Sequence, residues 1–453
     1  MKSNKLLLLI LCGFVLIAAV SCKKSFFTDV NENPNVPPSV GPALILPTVE
    51  SALAYTQGGD LSRFTSLFMQ QMYGANSQSQ AYYQYGINPG VFDNLWPDLY
   101  TSVMVNDDTL MHESDAHGYN AYSGVSRILM AYTLQITVDA WGKIPYSQAL
   151  SGNANLHPGY DDDKALYDTI ANLVDKAIVL LNDPKAGDLI PGAEDFIYGG
   201  DVTKWIKFGH AIKARLYIHQ SKGDVAMAAK ALEEINQSFT SNEDNAQYVF
   251  ASSETAANPW YQFYTQRPGD QSFAGSTIST MLQDLNDPRY PYYNMDSTDA
   301  SGSPAGYYNK INSPVEFITY DELLFIKAEA TLRTSGNIAE AQGYYRAAIE
   351  ANMSKLGIGQ ASINTYVAAN GTLPATSVDA AIGKVAEQEY LALFLNPEVW
   401  TLWRRTGKPD LQPVSGTDIP RRLLYPQSEI SYNGANVPTS VTLTSPRIFW
   451  DQP

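Results

Sequence analysis

The chain has 453 residues, with 30 Lys and Arg against 46 Asp and Glu, a formal net charge of −16 at pH 7. Without a basic cluster to neutralise phosphates, this balance excludes nucleic acid as a partner. Its cysteines, Cys12 and Cys22, both lie in the first stretch, so the remainder has no thiol for a disulfide or for nucleophilic chemistry. A chain this long can rely on packing instead.

Lys2 and Lys5 precede an apolar run from Leu6 to Val20, shorter than the roughly 20 residues a membrane-spanning helix needs. A positive start, a short apolar core and small residues before a cut mark residues 1–21 as a secretory signal peptide. Ala19-Val20-Ser21-Cys22 resembles the lipobox of bacterial lipoproteins, which implies cleavage before Cys22 and lipidation of that cysteine. Several acyl chains on one residue hold a membrane far better than a single myristoyl group. The segment "KKSFFTDVNENPNVPPSVGPA" is rich in Asn and Pro and lacks periodicity, so residues 22–42 are expected to form an extended tether. Residues 43–453 are expected to form one domain, with no further segment of membrane-spanning length.

Along that domain the long periodic segments are helical. From Asp163, "DKALYDTIANLVDKAIVLL" places Leu166, Ile170, Leu173, Val174, Ala177, Ile178 and Leu181 on one stripe. Asp161 to Asp163 stand at its start as caps rather than as a calcium loop, which would need spaced ligands and a glycine. "DVTKWIKFGHAIKARLYIH" ends at "SKGD", and "VAMAAKALEEI" comes next; "YDELLFIKAEATLR" ends at "TSGN", and "IAEAQGYYRAAIEANM" comes next. In both pairs a turn glycine precedes a packed alanine, Gly223 before Ala228 and Gly336 before Ala341. These spacings resemble the tetratricopeptide repeat, whose small residues let paired helices pack closely. The predicted fold class is therefore predominantly all-α, a tetratricopeptide-like scaffold of helix pairs with long irregular insertions. Those insertions include "GANSQSQAYYQYGINPGVFDNLWP", "ASSETAANPWYQFYTQRPGDQSFAGS" and "DPRYPYYNMDSTDASGSPAGYYN". Loops this long inside a domain are functional or disordered, and their aromatics argue against disorder.

Several motifs in order carry a family resemblance. "DVNENPN" comes after the lipobox; "DAWGKIPYSQAL" (Asp139 to Leu150) resembles an Asp-x-Trp-Gly-x-Ile-Pro-Tyr motif; "NDPRY", "ELLFIKAEA", "EVWTLWRRTGKPDL" and "RRLLYPQSE" succeed it. Together they resemble the SusD/RagB family of outer-membrane lipoproteins from Bacteroidetes, most closely its SusD-like branch. The resemblance implies a binding protein, not an enzyme, and no ligand spacing in the sequence points to a cofactor or a metal. It implies capture of oligosaccharide or polysaccharide, with peptide as the alternative, for a SusC-like TonB-dependent transporter. The protein would sit on the outer membrane through its lipid anchor, facing the cell exterior. A structural surface lipoprotein without soluble ligand is the remaining reading.

Sugars offer apolar C–H faces to aromatic rings and hydroxyls to amides, carboxylates and guanidinium groups. The best local match is "NPWYQFYTQRPGDQ", giving Trp260, Tyr261, Gln262, Tyr264, Arg267 and Asp270 as candidate ligand-binding residues. "SQSQAYYQYG" adds Tyr82, Tyr83 and Tyr85. Trp96, Trp141, Trp400 and Trp403 lie in framework motifs or on apolar helix faces and are assigned to packing. No motif singles out a catalytic carboxylate pair. His112 and His117 do not have the spacing of a helical zinc pair.

Overall fold

Glycine at two successive positions sets the first feature of the fold. Helix α1 (Pro42–Thr56) passes into a π-helical turn, Gln57–Leu61, and continues as α2 (Ser62–Phe68). Gly59 leaves helical geometry there, at φ −91° and ψ −111°. A Cβ on Gly58 would stand 2.3 Å from Val315 Cγ2, so only glycine admits this approach. The computed structural model describes residues 40–183, 185 and 187–452. The predicted signal peptide, Cys22 and the tether up to residue 39 lie outside the described residues.

A second π-helical turn, Asp98–Met104, runs into α4 (Val105–His117), after the short α3 (Ser77–Tyr83). Next, α5 (Asn120–Trp141) is buried almost all round and packs on α6 (Asp163–Leu181). The Asp162 side chain accepts from Lys164 N at 3.1 Å, the capping role expected of the acidic triplet. The buried side of α6 is Leu166, Ile170, Val174, Ala177 and Leu181, within the predicted stripe.

Two antiparallel helix pairs arise from the same pattern: α7 (Val202–Gln220) with α8 (Val225–Ile235), and α10 (Tyr320–Ser335) with α11 (Ile338–Lys355). Ala228 and Ala341 are fully buried, as the repeat spacing requires. Gly336 caps α10 at φ +66°, a left-handed conformation that glycine adopts without a Cβ clash. Between the pairs lies α9 (Pro259–Gln266); α12 (Val378–Ala392) and α13 (Glu398–Thr406) close the scaffold. Strands are minor: β1 (Tyr73–Gly74) pairs with β3 (Gln271–Ser272), and β2 (Ala246–Val249) with β4 (Pro314–Ile318), both antiparallel. No described helix is long and apolar enough to cross a membrane.

The insertions expected to be irregular are partly helical. Asn258 accepts from Trp260 N at 2.8 Å and Tyr261 N at 3.2 Å, and Pro259 comes directly after it, so "NPW" opens α9 rather than a loop. The tryptophans assigned to packing, Trp96, Trp141, Trp400 and Trp403, are all buried.

A polar network runs through the core. Arg215 on α7 donates from Nε and Nη2 to the Glu322 carboxylate, both at 2.7 Å. Arg405 on α13 donates to Glu329 Oε2 at 2.9 Å. His219 faces Glu398 Oε1 through Nε2 at 2.8 Å and the Tyr167 hydroxyl through Nδ1 at 2.9 Å. Burial first, then the charges of Arg405, Arg215 and Arg404, outweigh the nearby Asp139 and push the imidazole pKa down to about 3. His219 is thus neutral in the fold but titrates near 6.5 when unfolded. Its contribution to stability is complete above that value and is lost as pH falls towards 3. The advantage of the wild type over His219→Gln is therefore expected to shrink below about pH 6.5, by up to about 1.4 kcal/mol per unit, in urea titrations at stepped pH. A pH-independent difference between the two proteins would show that folding leaves the His219 pKa unshifted.

Candidate functional site

The face of α9 that carries Pro259, Gln262, Phe263 and Gln266 has helical i, i+3, i+4, i+7 spacing and forms one wall of an open cavity of about 980 Å³. Facing it are residues from both π-helical turns: Gly59 and Asp60 from the first, Asp98 and Ser102 from the second. Arg63 and Phe64 of α2 and Gln78 and Tyr82 of α3 complete the surround, with Arg267 and Asp270 from the turn after α9. π-Helical turns widen a helix and re-aim its side chains, and they recur at functional sites. Here both deliver a carboxylate to the same cavity.

The α3 and α9 segments are held together by short-range ties. Asp270 O accepts from Ala75 N at 3.0 Å and Asn76 N at 3.2 Å, continuing the β1–β3 pairing. Asn76 Nδ2 donates to Gly269 O at 2.9 Å, and Arg267 Nη1 donates to Gln78 Oε1 at 3.3 Å. Arg267 Nη1 also lies 3.9 Å from Asp270 Oδ2.

Charges along the wall are mostly paired. Arg63 donates to Asp60, and its guanidinium lies 5.1 Å from the Phe263 ring centroid. Burial raises the pKa of the Asp98 carboxyl, and the negative charge of Asp60 raises it further. Gln262 Nε2 donates to the Tyr55 hydroxyl at 3.3 Å and to Ala257 O at 3.2 Å. Tyr82 rests against Phe64 with ring centroids 5.2 Å apart. The wall thus offers amides, hydroxyls, two guanidinium groups and half-buried aromatic faces.

Of the residues predicted from sequence, the cavity brings together Tyr82, Gln262, Arg267 and Asp270. Trp260 is placed elsewhere: it is 2% exposed, and its Nε1 donates to Ser62 Oγ at 3.0 Å. Tyr261 is buried and donates to Glu254 Oε1 at 2.9 Å, while Tyr264 reaches Asp296 Oδ1 at 3.4 Å. Tyr83 packs edge-on against Tyr73, and the Tyr85 hydroxyl accepts from Val414 N at 3.1 Å. Sequence reasoning missed Asp60, Arg63 and Asp98, which sit in helical segments where polar residues read as solvent-facing. The double glycine before Asp60 was the one signal of an interrupted helix.

A second constellation, Asp139, His219 and Glu398, has nitrogen and oxygen donor atoms within 4.8 Å of one another. Arg215 Nε stands 3.6 Å and Arg405 Nη1 3.9 Å from the Glu398 carboxylate, and Arg404 Nη1 donates to Asp139 O at 2.7 Å. Guanidinium groups already fill the cation positions there, so the trio belongs to the core network.

A tetratricopeptide-like helical scaffold with a wide polar cavity among its inserted segments defines a binding protein. Residues 34–426 match the SusD-like_2 family, described as starch-binding and associating with the outer membrane, and the chain belongs to that family. It is accordingly an outer-membrane nutrient-binding protein of the Bacteroidetes type, and not an enzyme. Among solved structures, a SusD/RagB family protein from Bacteroides thetaiotaomicron shares 23% identity at TM-score 0.73, over 91% of this chain and 99% of that one. A chitin-binding protein aligns at TM-score 0.77 and 22% identity, over 91% and 100% of the two chains. A chitin-binding SusD homologue from Flavobacterium johnsoniae aligns at 0.72 and 20%, over 91% and 97%. No curated protein matches in sequence.

Because Trp260 fills core volume, Trp260→Ala is expected to cost about 3–5 kcal/mol of stability. A urea titration checks this, and an unchanged midpoint would return Trp260 to the candidate ligand contacts.

Proposed function

We propose that the cavity captures an oligosaccharide and passes it to a SusC-like TonB-dependent transporter. The observation that carries this reading is the cavity itself, about 980 Å³ of open space walled by amides, hydroxyls, guanidinium groups and aromatic faces. That mixture suits a ligand with hydroxyls around its rim and apolar C–H faces. Two structural relatives are named as chitin-binding, which favours a glycan over a peptide. Tyr82 supplies a ring face, Arg267 and Gln262 supply donors, and Asp270 supplies acceptors. Residues 22–42 act as a tether from a lipidated Cys22, so that the domain of residues 43–453 stands on the outer surface of the outer membrane. A membrane-held capture protein keeps its ligand near the transporter, because tethering raises the effective concentration of one beside the other.

Native affinity electrophoresis of the detergent-solubilised, full-length protein through gels containing different polysaccharides tests the capture step. Retardation by one glycan class is expected. Arg267→Ala is expected to lose about 1.5–3 kcal/mol of binding as a charged hydrogen-bond donor disappears, with the urea midpoint unchanged. If Arg267→Ala and Tyr82→Ala both bind like the wild type, the ligand does not occupy this cavity. For the anchor, Cys22→Ser is expected to move the protein from the membrane pellet to the soluble fraction; persistence in the pellet would exclude lipidation as the attachment.

A further inference from the structure

The cavity holds three carboxylates and two guanidinium groups, and they do not balance. Asp60 is taken up by Arg63, and Asp270 lies 3.9 Å from Arg267. Asp98 has no ion-pair partner among the described residues. Its side chain is exposed to the cavity, and partial desolvation and the charge of Asp60 both oppose its ionisation. The side chain stands at the first residue of a π-helical turn that aims it into the cavity. We infer that the ligand is a glycan carrying a free amine, whose ammonium group pairs with Asp98.

The inference rests on the reading of this cavity as a glycan site. A neutral sugar leaves the charge of Asp98 unmatched, because its hydroxyls can be met by Asp270 and by the amide oxygens of Asn94 and Gln266. A carboxylate placed near a second carboxylate is unfavourable when the cavity is empty. That penalty turns into attraction when a cation approaches Asp98, and a ligand that fills the cavity displaces the water that would otherwise screen the contact. An amino sugar fits better than a peptide. The charges of both arginines are already offset, Arg63 by Asp60 and Arg267 by Asp270, so Arg267 keeps N–H donors for sugar hydroxyls but no unmatched charge for the carboxylate that a peptide brings with its amine.

The test is isothermal titration of the full-length, detergent-solubilised protein with three tetrasaccharides: chitotetraose, its fully de-N-acetylated counterpart, and the neutral maltotetraose. The de-N-acetylated sugar is expected to bind at least about tenfold more tightly than the other two. Asp98→Asn should collapse that preference, and Asp98→Glu, which keeps the charge, should retain it. Both variants are checked for the wild-type urea midpoint. Equal or tighter binding of an uncharged sugar overturns the amine inference and leaves the glycan reading standing. A preference that survives in Asp98→Asn overturns the assignment to this residue. Binding of none of the three sugars, with capture of a lysine-containing tetrapeptide or of nothing, overturns the inference and the glycan reading together.

Discussion

The buried guanidinium of Arg215 is the constraint on which the rest of the molecule depends. It is 1% exposed and cannot shed its charge, so every donor must find an acceptor. Glu322 takes two of its hydrogen bonds, and Arg215 Nη2 gives another to Phe317 O at 2.7 Å. The same carbonyl accepts from the Tyr132 hydroxyl at 3.1 Å, and that hydroxyl also meets Gln57 Oε1 at 2.6 Å. Gln57 Nε2 then donates to Glu316 O at 2.8 Å. Helix α7, strand β4 and the first π-helical turn are therefore fixed to one another by polar contacts that tolerate little displacement. Leaving any member unpaired would strand a buried polar group, at a cost of about 1–3 kcal/mol and more for a charge. Such a network adds little net stability over apolar packing, but it specifies one arrangement of the helices.

Gln57 is where this core constraint meets the wall of the cavity. It begins the turn whose next residues are Gly58, Gly59 and Asp60. Gly58 can lie against Val315 only because it lacks a side chain, and its neighbour leaves helical geometry to restore the path into α2. The extra residue in a π turn rotates the succeeding side chains relative to a regular helix. Asp60 and Arg63 are thereby turned towards α9 rather than towards the core. The second π-helical turn does the same for Asp98 and Ser102. A cavity of this size inside a helical protein thus arises from two local departures from regular helix.

The sequence made the scaffold legible because its helices have one apolar face, and that pattern is local. Leu166, Ile170, Val174, Ala177 and Leu181 announce α6 without knowledge of any partner, and the glycine–alanine spacings announce the helix pairs. The cavity was half legible. Gln262, Arg267, Asp270 and Tyr82 stood out as polar and aromatic residues in turn-rich stretches, whereas Trp260 was drawn in by chemistry alone. Its place is set by α9 being a helix: Trp260 and Tyr264 share one side, and Pro259, Gln262, Phe263 and Gln266 share the other. The Asn-Pro opening of that helix was the readable sign. Asp60 and Asp98 were not readable, because π-helical turns depend on contacts such as Gly58 against Val315, residues far apart in the chain.

The two halves of the molecule are held by different kinds of contact, and that difference bears on how it can work. Core helices are joined by buried charges and close-packed alanines, which resist change at any one position. The α3 and α9 walls are joined by a two-residue strand pair, two backbone bonds to Asp270 O and side-chain contacts such as Asn76 with Gly269. Contacts of that number and exposure open at lower free energy than a core does. A wall of this kind can shift while the scaffold keeps its geometry. It can also exchange residues with little effect on folding, since Gln78, Gln266 and Arg267 contribute exposed atoms rather than core volume. Ligand choice and fold are thus separable in this architecture: the apolar faces and the Arg215 network hold the frame, and the lining of the cavity is left to a few side chains on elements that the frame merely positions.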